Sequence, residues 1–565
     1  MSRKTAWILL VVILLVLGAA FIYPALSILG EAFKSPTDGS FTLDYVWMVI
    51  CEPVYQEGLI NALVLGGLST IAATLIALPL ATLNHRYGFP GKHALALLVL
   101  VPMILPPFIG AIGIRQILGT EGSLNALLCT LGWMEHEHPI DWLSHGRFVG
   151  IIIMNALHLY PILYLNITAS LVQIDPTLEQ AAENLGCPPW RRFLRITVPL
   201  ILPGLFAGAS LVFIWAFTEL GIPLVFDFTR VAPVQILDGI KSLDRNPLPY
   251  ALTAIVLLIA AAVFLASKLA LGRSKITGTP RPKAQYQVKP LTGAAAWWCS
   301  AAFLGVTLLG SLPHISVALL SVSREWHGTI LPSEITLAYW QEALGSAIVV
   351  PSISNSLLYA SCATACALVL GLAASWVIVR SDLRARHLLD TVTMLPLAVP
   401  GLVLAFGYLA LSQEGKPLAF LIGADGSPLL LLTVAYAMRR LPYVTRATIA
   451  GLQQSDPALE QAARSLGASA LSTFRRISLP LLAAHLAAGC VLAFAFSMLE
   501  VSDSLILAQR AEHYPITKAT FTLLSSLGNG IGLAAALGVW SMIFLGVAMI
   551  GAGILGGKRG GLSGQ

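Results

Sequence analysis

Long apolar runs recur along the whole chain, separated by short polar segments. Each is long enough to cross a bilayer as a helix, which takes about 20 residues. There are about twelve, six in each half, near residues 7–29, 58–83, 92–117, 148–172, 199–223, 249–272, 293–320, 354–379, 386–411, 428–452, 479–505 and 529–555. The pattern predicts an all-α polytopic membrane protein with about 12 transmembrane helices. The first run is too long for a signal peptide and is expected to be a retained helix.

One 25-residue segment occurs twice, once in each half. The first copy, DPTLEQAAENLGCPPWRRFLRITVP, runs from Asp175 to Pro199, and the second, DPALEQAARSLGASALSTFRRISLP, runs from Asp456 to Pro480. The copies lie 281 residues apart and are identical at 13 of 25 positions, where unrelated segments would share about one or two. The pattern indicates one ancestral unit that was duplicated and fused.

The repeat extends beyond this segment. Six upstream residues match residues 294 positions later in the chain: Thr42, Leu43, Tyr45, Asn61, Pro102 and Pro106. The drop in offset from 294 to 281 places 13 extra residues in an outer loop of the first half. We predict two six-helix halves, residues 1–273 and 291–565, joined by a cytoplasmic linker at 274–290. An even number of spans makes this a parallel repeat. The first span of each half matches poorly and is expected to be peripheral.

Composition predicts a membrane protein, and the distribution of charge predicts its orientation in the membrane. Hydrophobic residues make up 56% and charged residues 11% of the sequence, against roughly 25% charged in a soluble domain. The net charge of +6 does not indicate nucleic-acid binding, because the basic residues lie in alternate loops that are predicted to face the cytoplasm. Both termini and both copies of the repeated segment belong to that side. The loops at about 30–57, 118–147 and 321–353 are richer in acids and are predicted to lie outside.

The repeated segment itself predicts a compact helix–turn–helix. Asp175 and Asp456 are helix N-caps, each followed by proline at the first helical position. Gly186 and Gly467 are expected to end the short helices that follow and to permit a sharp turn. Small side chains between cap and glycine allow close approach of a partner. An ordinary short loop has no need of this pattern in two copies.

The segment resembles the "EAA" loop of ABC importer permeases, the inner-membrane components of binding-protein-dependent uptake systems. The pattern of paired alanines, then glycine, isoleucine and Leu-Pro, is met by Ala181, Ala182, Gly186, Ile196 and Pro199, and by Ala462, Ala463, Gly467, Ile477, Leu479 and Pro480. The chain departs from the pattern in two respects. Val198 replaces the leucine of the first copy, and the motif's glutamate is Gln180 or Gln461, with Glu179 and Glu460 one residue earlier.

The resemblance implies a docking role, since in that family the loop forms coupling helices that seat in clefts of two ATPase subunits. The implied coupling residues are Glu179, Gln180, Ala181, Ala182, Gly186, Glu460, Gln461, Ala462, Ala463 and Gly467. No Walker A pattern occurs in the sequence, so ATP and Mg would bind two copies of a separate ABC ATPase, and this chain is expected to bind no cofactor. The other implied partners are a periplasmic solute-binding protein and membrane lipid, in a bacterial inner membrane.

Two arginines lie deep within a predicted span. Arg439 and Arg440 are about 18 Å from its cytoplasmic end at 1.5 Å per residue, where ionisable groups usually face a protein interior or water. The matching residues of the first half are His158 and Leu159. Two interpretations stay open. Either His158, Arg439 and Arg440 line a path for an anionic or chelated cargo, or the arginines pair with a helix end or a carboxylate.

Other polar residues are predicted on the outer side. Glu219 and Glu500 match at an offset of 281 and are expected near the outer mouth, where they either contact the binding protein or cap a loop. The inserted loop holds Glu135, His136, Glu137, His138, Asp141 and His145. Such a run more often forms a solvated docking surface than a metal site, so no metal site is predicted. The seven cysteines contain no CxxC pair and are expected to be structural.

Three classes of function fit twelve spans: an ATP-driven importer permease, a secondary transporter of two six-helix halves, and a membrane enzyme. The paired glycine-turn segments favour the importer, because a secondary transporter does not require an ATPase. The sequence shows no set of catalytic side chains that would converge at membrane depth, so nothing in it indicates an enzyme. The two fused halves resemble ferric-iron permeases of this superfamily, which implies ferric iron as cargo. Thiamine, aminoethylphosphonate and polyamine permeases have a similar sequence texture and are the alternatives.

Overall fold

The fold is helical in the part of the chain that the computed structural model describes. That part comprises residues 3–35, 38–104, 106–135, 137–240, 246–273, 288–422, 426–526 and 528–560. Its two named strands, Tyr87–Gly88 and Lys289–Pro290, have two residues each and pair in parallel. The prediction of an all-α polytopic protein is confirmed.

Among the described residues, nine helices are long and apolar enough to cross a membrane: Arg3–Ala32, Pro53–Arg86, Gly146–Gln173, Pro189–Val225, Leu248–Ser267, Ala294–Ser321, Val349–Arg380, Ala470–Met498 and Gly530–Met549. Two further candidate spans are bent pairs, which we call the first and second broken helices. They are Lys92–Met103 with Pro107–Thr130, bent by 89°, and Arg386–Leu397 with Gly401–Leu411, bent by 95°.

A twelfth helix completes the repeat. Leu429–Gln454 occupies the position of Gly146–Gln173 in the first half, but three arginines, Arg439, Arg440 and Arg446, lower its hydropathy. With this helix, the described residues contain the predicted twelve. Shorter helices connect the spans: Asp44–Cys51, Pro176–Asn184, Ala232–Gly239, Ala338–Gly345, Pro457–Ser465, Ser502–Leu507 and Ile516–Leu524.

The breaks in the two broken helices follow from matched prolines. Pro102 and Pro106 flank the first break, and Pro396 and Pro400 flank the second. Proline has no N–H to donate and clashes with the preceding helical turn, so a helix does not run through a closely spaced pair. Pro106 and Pro400 have extended backbones, and a new helix starts at the next residue in both cases.

Contacts divide the chain into two compact units that differ from the predicted halves. The central unit comprises Cys51–Gln235 and Leu258–Thr336, and the flanking unit comprises Met1–Ile50, Ile236–Leu257 and Leu337–Gln565. The predicted halves therefore correspond to the repeat in the sequence and not to the two compact units. Most of the predicted linker, residues 274–287, lies outside the described residues.

The first long helix of each half packs in the unit built mainly from the other half. In the flanking unit, Leu17 and Ile28 of Arg3–Ala32 are fully buried, and Tyr408 donates a hydrogen bond to the Ala20 carbonyl. In the central unit, Phe303 of Ala294–Ser321 is fully buried. Both helices also expose large apolar side chains, among them Leu15 and Trp298, so their peripheral position stays a prediction.

Two glycines at the same repeat position make this packing possible. A Cβ on Gly113 would lie 1.9 Å from the carbonyl oxygen of Pro313, and a Cβ on Gly407 would lie 2.4 Å from that of Pro24. Gly407 follows Gly113 by 294 residues. Both are on broken helices, and each faces the proline of the first long helix in its own unit. Glycine is required here because any side chain would collide with backbone.

Candidate functional site

The two copies of the repeated segment fold into matching projections, which we call the first knob (residues 175–199) and the second knob (residues 456–480). Each starts with a nine-residue helix, Pro176–Asn184 in the first and Pro457–Ser465 in the second. The first knob belongs to the central unit and the second to the flanking unit. The predicted helix–turn–helix is confirmed in both.

Both helices begin with the predicted side-chain cap. The Asp175 carboxylate accepts a hydrogen bond from the Thr177 amide at 3.0 Å, and the Asp456 carboxylate accepts one from the Ala458 amide at 2.9 Å. Each bond satisfies an amide that has no partner within the helix. The cap explains why the helices start at the same position in the two copies.

Both helices end at a glycine with left-handed backbone, as predicted. The φ angle is +76° at Gly186 and +86° at Gly467. In the first knob, the Gly186 amide donates to the Glu183 carbonyl and the Cys187 amide donates to the Ala182 carbonyl, both at 2.9 Å. The second knob repeats both bonds at 3.0 Å. This is the Schellman arrangement, in which a residue without a Cβ closes the helix at no steric cost.

The knobs present matched apolar side chains to solvent. Leu185 is 88% exposed and Leu466 is 89% exposed, and these residues lie just before the two glycines. The other exposed apolar side chains at matching positions are Leu178, Trp190, Leu459 and Leu471. The predicted coupling residues Gln180, Ala181, Gln461 and Ala462 are also exposed, and Ala182 and Ala463 are half-buried. An apolar face beside small residues is typical of a surface that another protein covers.

A buried ion pair anchors the first knob to the end of a long helix. Arg86, the last residue of Pro53–Arg86, donates to the Glu179 carboxylate at 2.6 Å and to the Thr197 hydroxyl at 2.9 Å. The Thr197 hydroxyl donates to the same carboxylate at 2.5 Å. Glu179 therefore faces inward, whereas Gln180 faces solvent. The acid that is displaced by one residue from the family pattern holds the knob in place.

The second knob has the same anchor. Arg380, the last residue of Val349–Arg380, donates to the Glu460 carboxylate at 3.2 Å and to the Ser455 hydroxyl at 2.9 Å. Sequence reasoning missed Arg86 and Arg380 as site residues. The signal was available, because Arg380 follows Arg86 by 294 residues. The acids Glu179 and Glu460 are related by the other offset, 281. A single offset therefore does not link both arginines and both acids.

Each knob contains a wide helical turn near its end, where the chain continues into the next span. Phe193–Thr197 and Phe474–Ser478 are single π-helical turns, with the bond at the end of each running from Val198 to Phe193 or from Leu479 to Phe474. A proline without an N–H follows each turn, at Pro199 and Pro480. Such turns are uncommon and are often found at functional sites.

The flanking unit also contains a buried charge cluster of Arg439, Arg440, Glu500 and Asp503. Both arginines pair with the two oxygens of Glu500, and Arg439 lies 3.2 Å from the Asp503 carboxylate. Arg440 also donates to the Phe496 carbonyl at 2.9 Å and lies over the Phe496 ring. The least buried of these side chains, Arg439, is only 19% exposed. Two guanidinium groups thus meet two carboxyl groups away from water.

Hydroxyl groups extend the cluster into the surrounding helices. Ser504 and Thr517 donate to the Glu500 carbonyl at 2.5 and 2.7 Å. The Tyr436 hydroxyl lies 2.6 Å from that of Ser504. These bonds tie the segment after Ala470–Met498 to the helix that carries the arginines.

The repeat positions of Arg439 and His158 both face a helix break. A Cβ on Gly401, at the second break, would lie 2.0 Å from an Arg439 nitrogen. In the central unit, His158 Nδ1 lies 2.9 Å from the carbonyl of Pro102 at the first break. A broken helix leaves carbonyls without amide partners, and polar side chains satisfy them.

The cluster bears on the interpretations that the sequence left open. The arginines pair with carboxylates, as one interpretation predicted. Glu500 is 5% exposed and bound on both oxygens, so it presents no free carboxylate at the surface of the unit, and its contact with a binding protein stays an untested prediction. Glu219, the equivalent residue of the first half, accepts from the Gly221 and Ile222 amides at 2.9 and 3.3 Å. It therefore caps the helix Gly221–Val225, as the loop-cap interpretation predicted.

Asn125 connects several parts of the inserted loop. Its side chain donates to the carbonyls of Thr120 and Ile140 at 2.8 and 2.7 Å and accepts from the Trp142 indole at 2.7 Å. Glu135, Glu137 and His138 are exposed, and the described residues contain no group of three or more metal-ligating side chains. The structure does not describe His136 or the side chain of His145.

Comparison with known proteins identifies a family that matches this chain. The family description "Binding-protein-dependent transport system inner membrane component" matches residues 70–274 and 367–552, which together make up more than half of the chain. A ferric transport system permease protein of Haemophilus influenzae is 28% identical over 517 residues, which covers 88% of this chain and 77% of that protein.

Two further relatives are similar over different lengths. A ferric transport system permease protein of Actinobacillus pleuropneumoniae is 27% identical over 546 residues, covering 93% of this chain and 74% of that protein. The spermidine/putrescine transport system permease protein PotB of Escherichia coli is 29% identical over 194 residues, covering 34% of this chain and 69% of that protein.

Proposed function

The chain belongs to the family of binding-protein-dependent transport system inner membrane components, and from this we propose that it imports ferric iron with energy from a separate ATPase. The observation that carries the proposal is the pair of matching knobs. Each is capped, closed by a left-handed glycine and anchored by an arginine, and each exposes an apolar face. The chain is the transport subunit of an ABC importer. The secondary-transporter and enzyme alternatives are not retained.

The knobs are proposed to seat in the clefts of two ATPase copies. Exposed Gln180, Ala181, Gln461 and Ala462 and the neighbouring leucines would contact the ATPase, while Glu179 and Glu460 position the helices from behind. ATP and Mg would bind on the partner, because this sequence contains no Walker A pattern. The rigid ends of the knobs then transmit motion of the ATPase to the spans that follow them.

Ferric iron is favoured as cargo by the extent of the similarity. The two ferric permeases match most of this chain, including both fused halves, whereas the polyamine permease matches about a third. Thiamine and aminoethylphosphonate remain alternatives of the same importer class. Selection of the cargo is assigned mainly to the binding protein.

The cargo prediction is tested in liposomes that contain the permease, its ATPase and its binding protein. We expect ferric-loaded binding protein to stimulate ATP hydrolysis and to drive uptake of radiolabelled iron. Spermidine, thiamine and aminoethylphosphonate serve as matched controls and should do neither. Stimulation by one of these solutes, without stimulation by ferric iron, would overturn the iron assignment and keep the importer class.

The path residues are reassigned in part. His158 and Arg439 occupy one repeat position and face the two helix breaks, so we propose them as polar residues beside the path. Arg440 is enclosed by Glu500 and Phe496 and is assigned a structural role. Glu219 keeps its proposed contact with the binding protein as a second role beside its helix cap.

Orientation is proposed from the basic loops, with both termini and both knobs in the cytoplasm of a bacterium and the inserted loop in the periplasm. We expect a single cysteine at position 281, in a cysteine-free background, to resist an impermeant thiol reagent in intact cells. A single cysteine at Glu137 should be labelled. Labelling at 281 together with protection at 137 would reverse the map. Permeabilised cells, in which both sites should react, provide the control.

A further inference from the structure

The two knobs carry charges of opposite sign at one matched exposed position. Glu183 lies near the end of the first knob's helix, and Arg464 lies at the same place in the second knob, 281 residues later. Both side chains are exposed. Each is two residues before the exposed leucine, Leu185 or Leu466, that is proposed to touch the ATPase. Two identical ATPase clefts would therefore meet opposite charges.

The charge of Glu183 is neutralised from within the central unit. Arg192, whose side chain is only 10% exposed, donates to the Glu183 carboxylate at 2.7 Å. Lys289 approaches the other carboxylate oxygen at 3.8 Å. The second knob has a different residue at the position of Arg192, namely the buried Thr473. The first knob, which carries the acid Glu183, therefore also has the basic residue Arg192, and the second knob lacks both.

Lys289 is held in place by backbone pairing. Lys289 and Pro290 form the short parallel strand that pairs with Tyr87 and Gly88. The Leu291 amide donates to the Gly88 carbonyl at 2.9 Å. Tyr87 directly follows Arg86, which anchors the same knob. The lysine is therefore placed next to the knob by the chain that enters the second half.

We propose that Arg192 and Lys289 form a charge mask over Glu183, which lets the first knob seat in the same kind of ATPase cleft as the second. This inference rests on the proposed docking function. A cleft that accepts Arg464 is neutral or acidic at that point, and it would repel an unmasked glutamate, since like charges across an interface are unfavourable. Arg192 and Lys289 are positioning residues that act through Glu183.

Docking at each knob is measured separately with a photo-crosslinking amino acid at Leu185 or at Leu466, in membranes containing the whole transporter. We expect Lys289→Gln with Arg192→Gln to lower crosslinking of the ATPase at position 185 about two- to fivefold at low ionic strength. High salt should restore it, because salt screens repulsion between exposed charges. Crosslinking at position 466 should not change. Adding Glu183→Gln to the same variant should also restore the signal at 185.

The reverse experiment moves the mask to the second knob. Arg464→Glu should lower crosslinking at position 466 more than Arg464→Gln does, and Thr473→Arg added to Arg464→Glu should recover it. Salt-independent loss at 185, or no rescue by Glu183→Gln, would show that the variants merely distort the knob and would overturn the mask. Unchanged crosslinking in all variants would overturn it as well. Absence of ATPase crosslinking at both knobs of the unmodified protein would instead refute the proposed docking.

Discussion

Glu500→Gln is expected to reduce the amount of folded protein in the membrane severely. Glu500 bridges Arg439 and Arg440 inside the flanking unit, and removing its charge leaves two buried guanidinium groups with one remaining carboxylate, Asp503. Breaking a buried pair in this way costs about 3–5 kcal/mol. Thermal unfolding in detergent, followed by loss of the monodisperse peak, measures the effect together with membrane abundance.

A matched control exists at the same repeat position. Glu219→Gln affects a carboxylate that caps a short helix, so its cost should be at most about 1 kcal/mol. Adding Arg440→Gln to Glu500→Gln should recover part of the lost stability, because no excess buried charge then remains. Equal and small effects of Glu500→Gln and Glu219→Gln would show that the cluster does not stabilise the unit.

Gly186→Pro and Gly467→Pro are expected to uncouple the transporter from its ATPase. The φ angles of +76° and +86° at these residues are unavailable to proline, whose ring holds φ near −65°. Proline also removes the amide that closes the helix. The exposed apolar face should therefore lose its shape. We expect stimulation of ATP hydrolysis by loaded binding protein to fall about tenfold or more, at nearly normal membrane abundance.

The control replaces the same glycines by asparagine, which tolerates left-handed backbone better than other residues with side chains. Gly186→Asn and Gly467→Asn should keep most of the stimulation. Full stimulation in both proline variants would remove the knobs from the coupling mechanism. Loss of abundance in the proline variants alone would assign the glycines to folding.

Much of the architecture could be predicted because it depends on local properties of the chain. Helices that cross a bilayer need long apolar runs, and a duplicated chain shows its repeat directly. The knobs were predictable for the same reason. An aspartate before proline caps a helix, and a glycine ends it, within a few residues of one another. The sequence showed that Glu179 and Glu460 lie one residue before the usual glutamate of the motif. It did not show that these acids pair with arginines at the ends of long helices.

Tertiary structure decided which distant residues meet. Glu500 was expected at an outer surface, because its distance along the chain gave depth but not direction, and packing turned it toward Arg440. Arg86 and Glu179 follow different repeat offsets, so only the fold pairs them. The exchange of the first long helices was hidden, since an apolar helix packs equally well by composition against either half. Local backbone preferences are encoded within a few residues, whereas charge pairing and helix packing depend on the spatial arrangement of segments far apart in the sequence.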